Sequence, residues 1–168
     1  MLGTDFIKQY VLFIDYSGRR IGFFRALPKL DGFELLATVP FRSEKGMLLI
    51  KCSLPEAIQT EVMIDTGHIL DLQLYEDVAS HLKLKPAVSH RRLGGASDSH
   101  EVTLYEFSSI SLHGYQVNNV NIDVHPLITP NAFSTRFKPG LLGQGILERY
   151  AVEIDFFTSN MRLYEKTY

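Results

Sequence analysis

Val62-Met63-Ile64-Asp65-Thr66-Gly67 sets a carboxylate at the end of an apolar run, on a tight turn. An acid behind three apolar residues is costly unless its surroundings hold it deliberately. In that setting Asp65 is the titrating group. Gly67 lets the backbone turn sharply and leaves its N–H close enough to bond the carboxylate. The Thr66 hydroxyl can be buried only if it bonds to backbone. Asp and Gly also make ordinary hairpin turns, so the triplet takes its meaning from what surrounds it.

Other chemistries find less support in the residues. The histidines at 68, 81, 90, 100, 113 and 125 contain no i, i+4 pair and none lies beside a cysteine, so neither a metal nor any other cofactor is expected. Ser97-Asp98-Ser99-His100 holds the residue types of a hydrolytic triad, but a triad is recognised by spatial geometry rather than adjacency. Gly140-Leu-Leu-Gly143-Gln-Gly145 lacks the Lys-Ser/Thr ending of a phosphate loop. Cys52 is the sole cysteine, which excludes an intrachain disulfide; its apolar neighbours predict a buried, inert thiol. Seventeen basic against nineteen acidic residues give a net charge of −2 and no basic stripe, so no nucleic-acid partner is expected. The apolar runs fall far short of the ~18–20 residues of a membrane span. The first ten residues show no charged leader followed by an apolar stretch and a small-residue cleavage site, and an exported or periplasmic location is expected only if the full-length protein has an upstream signal. The compartment stays open.

The elements that must position Asp65 are mostly strands. Glu34–Val39, Gly46–Ser53, Gln59–Ile64, Val88–Leu93, Glu101–Leu112 and Tyr115–His125 read as strands, with turns at Pro40–Lys45, Leu54–Ala57 and His113-Gly114. Apolar residues at 72, 74, 75, 78, 79 and 82 predict a helix over Leu72–Leu82. Pro126–Pro139 reads as a loop.

The chain also repeats itself at an offset of 140. Leu2/Leu142, Gly3/Gly143, Tyr10/Tyr150, Ile14/Ile154 and Asp15/Asp155 are identical, and eight further pairs, from Phe6/Ile146 to Phe24/Tyr164, keep apolar or aromatic character in an alignment without a gap. Both copies read as a Leu-Gly turn, a helical turn, a strand ending in Ile-Asp-aromatic, a turn and a final strand. The second copy closes a long unit. Since repeated units usually come whole, residues 1–26 are expected to be the closing tail of a preceding lobe, residues 27–33 a linker and residues 34–168 a complete lobe. Asp15 and Asp155, in the repeated motif, are expected to be structural.

Four elements in order resemble the retropepsin-like aspartic proteases over about residues 34–166. They are the apolar strand with Asp65-Thr66-Gly67; the stretch Ala79-Ser-His-Leu82-Lys-Leu84; the glycine-bearing hairpin Leu93-Gly94-Gly95-Ala96; and Leu141-Leu142-Gly143 followed by Ile146-Leu147-Glu-Arg-Tyr150 and Ile154-Asp155-Phe156. The resemblance implies a mainly β acid-protease barrel with one helix after the Asp-Thr-Gly strand and one short C-terminal helix. It implies peptide hydrolysis through a water held between two aspartates, one acting as base and the other as acid. Asp65, Thr66 and Gly67 would form the catalytic turn, and Gly94, Gly95 and Ala96 the flap that closes on an extended peptide or protein substrate. Thr66 would then lock its turn against a symmetry mate.

Two departures stand out. The family usually carries Ala or Ser after the triplet, where this chain has His68, a side chain large enough to crowd the carboxylate or else to point into solvent. No second Asp-Thr/Ser-Gly occurs either. The partner aspartate must come from an upstream lobe, which the repeat favours, or from a homodimer mate; the chain alone is expected to be inactive as a monomer. A non-catalytic peptide-binding or assembly module on the same scaffold is the alternative.

Overall fold

The computed structural model describes residues 4–84, 86–94, 99–125 and 139–167. Its order is α1 (Thr4–Ile7), β1 (Val11–Asp15), β2 (Arg20–Phe24), β3 (Phe33–Glu44), β4 (Met47–Ser53), a 3-10 turn (Pro55–Ala57), β5 (Gln59–Ile64), β6 (Leu72–Tyr75), α2 (Glu76–Ala79), β7 (Pro86–Gly94), β8 (Ser99–Leu112), β9 (Tyr115–His125), β10 (Gly140–Leu142), α3 (Gln144–Leu147), β11 (Ala151–Asp155) and β12 (Asn160–Lys166). The fold is mainly β, as the alternation of apolar and polar residues requires.

Six strands close on themselves. In the order β4, β5, β10, β6, β9 and β8 each pairs with the next, and β8 returns to β4 through Cys52↔Leu112 and Ser53↔Ser111. Inside this barrel lie Ile50, Val62, Leu72, Leu112, Ile122 and Leu142, all at most 1% exposed. Cys52 is also enclosed, and burial pushes its thiol up to about 12, in keeping with an inert role. The short connections use the backbone conformations that tight hairpins need: Lys45-Gly46 and His113-Gly114 both take positive φ.

Two predicted boundaries move. The expected turn at Pro40–Lys45 is strand as far as Glu44, because β3 changes partners there. It pairs with β12 through Pro40↔Asn160 and with β4 from Phe41↔Ile50 onward. A proline without an N–H is tolerated at such a changeover. The helix expected over Leu72–Leu82 shrinks to Glu76–Ala79. Leu72–Tyr75 instead lies in the barrel, parallel to β9 through Leu72↔Ile122 and antiparallel to β10 through Leu142↔Leu72. The apolar residues that fit a helical face fit a doubly covered strand equally well.

The internal repeat is structural as well as sequential. α1, β1 and β2 recur at an offset of 140 as α3, β11 and β12. Even the turns agree: Arg19 and Ser159, equivalent positions, have φ of 52° and 54°. The copies lie side by side in the order β2-β1-β11-β12. Their register is symmetric, because Leu12 faces Ile154, Val152 faces Ile14, and the equivalent residues Phe13 and Glu153 face each other at the centre. A local two-fold axis therefore runs between β1 and β11.

The two copies differ in what covers them. Ile146, Met161 and Leu163 are each 0% exposed, packed on the barrel. Their equivalents Phe6, Ile21 and Phe23 are 44%, 66% and 38% exposed. β12 has β3 on its outer side, whereas β2 ends the sheet as an edge.

Asp15 and Asp155 do the same work in each copy. Asp15 is buried and accepts from Ser17 Oγ (2.9 Å), Gly18 N (2.7 Å) and Arg20 (2.8 Å). Asp155 accepts from Phe157 N (2.9 Å), Thr158 N (3.2 Å), Thr158 Oγ1 (2.5 Å) and Arg162 (3.3 Å). Burial works to raise both carboxyls. For Asp15 the donors Arg20, Gly18 and Ser17 win and hold it at about 2; for Asp155 the Thr158, Arg162 and Phe157 donors also leave it lowered. A depressed carboxyl stabilises the fold above the unfolded-state pKa, near 3.9, and loses that contribution as the pH falls through the folded value. Asp15→Asn is thus expected to cost roughly 1–2 kcal/mol in urea unfolding at pH 6. That gap from the native chain should close as the pH is lowered toward 2.

Candidate active site

Two parallel strands bring the site together. β5 and β10 run side by side through Val62↔Gly140, Met63↔Leu141 and Ile64↔Leu142, so they end at the same level, one at Asp65 and the other at Gly143. The parallel pairing continues past the end of β5, since Asp65 N donates to Leu142 O at 2.9 Å. The chain then wraps over the end of β10. Gln144 N donates to His68 O (2.6 Å), Gly143 N to Asp71 O (2.9 Å) and Gly145 N to Leu70 O (3.1 Å). These three backbone bonds clamp the Asp65–Asp71 loop to the start of α3.

Within the loop, Gly67 N donates to Asp65 Oδ1 at 2.8 Å, the contact expected from the sequence. Asp65 is half-buried, while Thr66 and Gly67 lie exposed at the surface. The carboxylate is therefore held by its own turn and presented outward. Thr66 presents an exposed side chain beside it.

His68 neither crowds Asp65 nor points into solvent. Its ring turns back into the protein and its Nε2 lies 3.2 Å from Asp123 Oδ1 on β9, with both side chains largely buried (11% and 3% exposed). There is room because position 143 is glycine: a Cβ there would come within 2.5 Å of His68 Cδ2. His68 so ties the Asp65 turn to β9. Removing it as His68→Ala would leave the buried Asp123 carboxylate without this partner. The expected cost is about 1–3 kcal/mol in chemical denaturation, more than at an exposed histidine such as His113.

A second carboxylate braces the same loop. Asp71 is 6% exposed, and its Oδ2 accepts from Asn121 N (2.8 Å), Asn121 Nδ2 (3.1 Å) and Arg149 (2.8 Å). Arg149 also bonds Gly145 O and Asn118 O, each at 2.8 Å. Neither Asp71 nor Asp123 was picked out from the sequence as part of the site. The signal was present: Leu70-Asp71-Leu72 and Ile122-Asp123-Val124 each place an acid between apolar residues, the same costly arrangement that drew attention to Asp65.

Of the expected flap residues, Gly94 ends β7, where it faces Ser99 across the hairpin. Gly95 and Ala96 lie outside the described residues, as does most of the loop expected over Pro126–Pro139. Among the described residues no group of three His, Cys, Asp or Glu side chains converges as metal ligands, and no helix is long and apolar enough to cross a membrane.

Comparison with known proteins adds three findings. A family profile described as aspartyl protease matches residues 50–147. A solved structure of a retropepsin-like aspartic protease from Rickettsia conorii is similar with a TM-score of 0.53 and 21% identity, covering 80% of this chain and 95% of that one; at that identity the likeness establishes the fold. No curated protein sequence matches the chain.

Proposed function

Because the chain belongs to the aspartyl protease family, we propose that it forms half of an aspartic endopeptidase site, in which Asp65 works with an aspartate from a second lobe of the same fold. The observation that carries this reading is the Asp65 turn itself. Its carboxylate is fixed by the Gly67 N–H and faces outward beside the exposed Thr66 and Gly67. A surface-facing acid of this kind becomes a water-activating pair only when a partner turn meets it.

With the partner in place, one proton is shared between two carboxylates and a water lies between them. The ionised member takes a proton from the water as it attacks the scissile carbonyl. The protonated member gives its proton to the carbonyl oxygen. Like charges at that distance do not both ionise, so the pair titrates in two separated steps, for which aspartic proteases are the type case. The β7–β8 hairpin, with Gly94-Gly95-Ala96 at its tip, would lie over an extended peptide and bond its backbone as an added strand. His68, turned away to Asp123, leaves the carboxylate uncrowded, which argues against a purely peptide-binding role.

The arrangement of the repeat supports a tandem chain over a homodimer. In this reading residues 1–26 close a preceding lobe, residues 27–33 link, and residues 34–168 form the lobe that carries Asp65. The exposed Phe6, Ile21 and Phe23 occupy positions that the second copy buries against its own barrel, so a preceding barrel would cover them in the same way. A homodimer built on β11 would need an edge that β1 already fills.

The test is peptide cleavage between pH 3 and 7 by the two-lobed protein, and its block by a statine-type inhibitor. Neither cleavage nor inhibitor binding at any pH in that range would refute the protease reading. The 168-residue chain alone is expected to cleave nothing.

A further inference from the structure

The two-fold between β1 and β11 joins two copies that differ most at its centre. On the axis stand Phe13 and Glu153, directly opposed. Glu153 is 0% exposed; it is ion-paired with Arg162 and accepts from Tyr164 Oη at 3.2 Å. Phe13 is 6% exposed and packs edge-on against Phe33 (5.3 Å between centroids) and Tyr164 (6.5 Å). At the positions matching Arg162 and Tyr164, the first copy has Gly22 and Phe24.

A second copy of β11 in place of β1 would meet a different centre. In an interface with two-fold symmetry every residue meets a different one except the residue on the axis, which meets itself. In this register that residue is Glu153. Residues directly opposed on one face have Cβ atoms about 4.5–5.5 Å apart, and like charges there are destabilising. Each copy would bring two carboxylates, Glu153 and Asp155, against the single Arg162 guanidinium that bonds both. The Phe13 ring that fills the space would be gone. Two buried Glu153 carboxylates brought face to face, each relying on an Arg162 already shared with Asp155, would be costly.

We propose that Glu153 is the residue that selects the partner of β11. It rejects a second copy of this chain and accepts the strand of a repeat whose matching residue is apolar, as Phe13 is. This deepens the two-lobe reading and draws its functional meaning from it: the lobe that completes the site must be non-identical at this position.

Two measurements test the proposal without any need for proteolysis, so their outcome is separable from that of the protease assignment. The first is hydrogen exchange of residues 11–15 in the intact chain. Phe13→Glu should speed exchange roughly tenfold beyond Phe13→Ala, and adding Glu153→Gln should remove that excess. Equal exchange in Phe13→Glu and Phe13→Ala would show that only the lost ring matters and overturn the proposal. The second uses sedimentation. Leu12→Pro with Phe13→Pro removes an amide donor on each side of β1 and so frees β11. This variant should stay monomeric, whereas adding Glu153→Gln, which keeps the shape and removes the charge, should give a dimer. A dimer without Glu153→Gln, or a monomer with it, would overturn the proposal; should the proline variants fail to fold, the exchange measurement decides alone.

Discussion

Asp65→Asn in the two-lobed protein is expected to lower kcat/KM for peptide cleavage by at least roughly 10³-fold, while the unfolding midpoint stays within a few degrees of the native one. Both halves of this expectation come from one contact. The described hydrogen bond to the Asp65 side chain is donated by Gly67 N to Oδ1 at 2.8 Å, and an asparagine oxygen accepts it equally well. The turn survives the change. What is lost is the ability to share a proton with the partner carboxylate and to take one from water, and the described acids nearest in the fold are already engaged. Asp71 is committed to Arg149 and Asn121, and Asp123 to His68. A drop in stability of more than about 2 kcal/mol would instead identify Asp65 as a structural acid.

Gly143→Ala should have the larger effect on folding, at least about 3 kcal/mol in chemical denaturation. The cause is space rather than conformation, since Gly143 has φ −98° and ψ −179°, which alanine adopts freely. An added Cβ would overlap the Leu70 carbonyl oxygen and lie 2.6 Å from that of His68. Those two oxygens accept the Gly145 and Gln144 N–H groups that clamp the Asp65–Asp71 loop to α3. Neither can move away without breaking a bond at the base of the active-site turn. Gly67→Ala makes a useful contrast. Its nearest neighbour would be Asp65 Oδ1 at 3.2 Å, at an exposed position, so the expected folding cost is below about 1 kcal/mol. Comparable losses in the two variants would mean that the clamp contributes little.

Much of this architecture could be read from residue order alone, and the exceptions share a cause. β5 and β9 have the limits that their β-branched and apolar runs and bounding turn residues predict. Leu72–Tyr75 reads as helix because a strand covered on both sides has no alternation to report. Pro40 reads as a turn residue because proline lacks an amide donor, and only the three-dimensional change of partners along β3 makes that donor unnecessary. The Asp65 turn was legible because glycine and aspartate there act on each other locally. The partners of His68 were not, since Asp123 lies 55 positions along the chain. Only the closing of the barrel places them together.

The link between β2 and β3, residues 25–32, bears on how firmly the repeat is seated. β3 is bonded to β12, β12 to β11, and β11 to β1. The short connection therefore delivers β1 to a strand two places from the one on which it ends. Tethered in this way, a segment meets its seat at an effective concentration in the millimolar range. A free molecule present at micromolar levels competes for that seat at a disadvantage of roughly a thousandfold. Dilution, which dissolves an assembly of separate subunits, leaves such a pairing untouched.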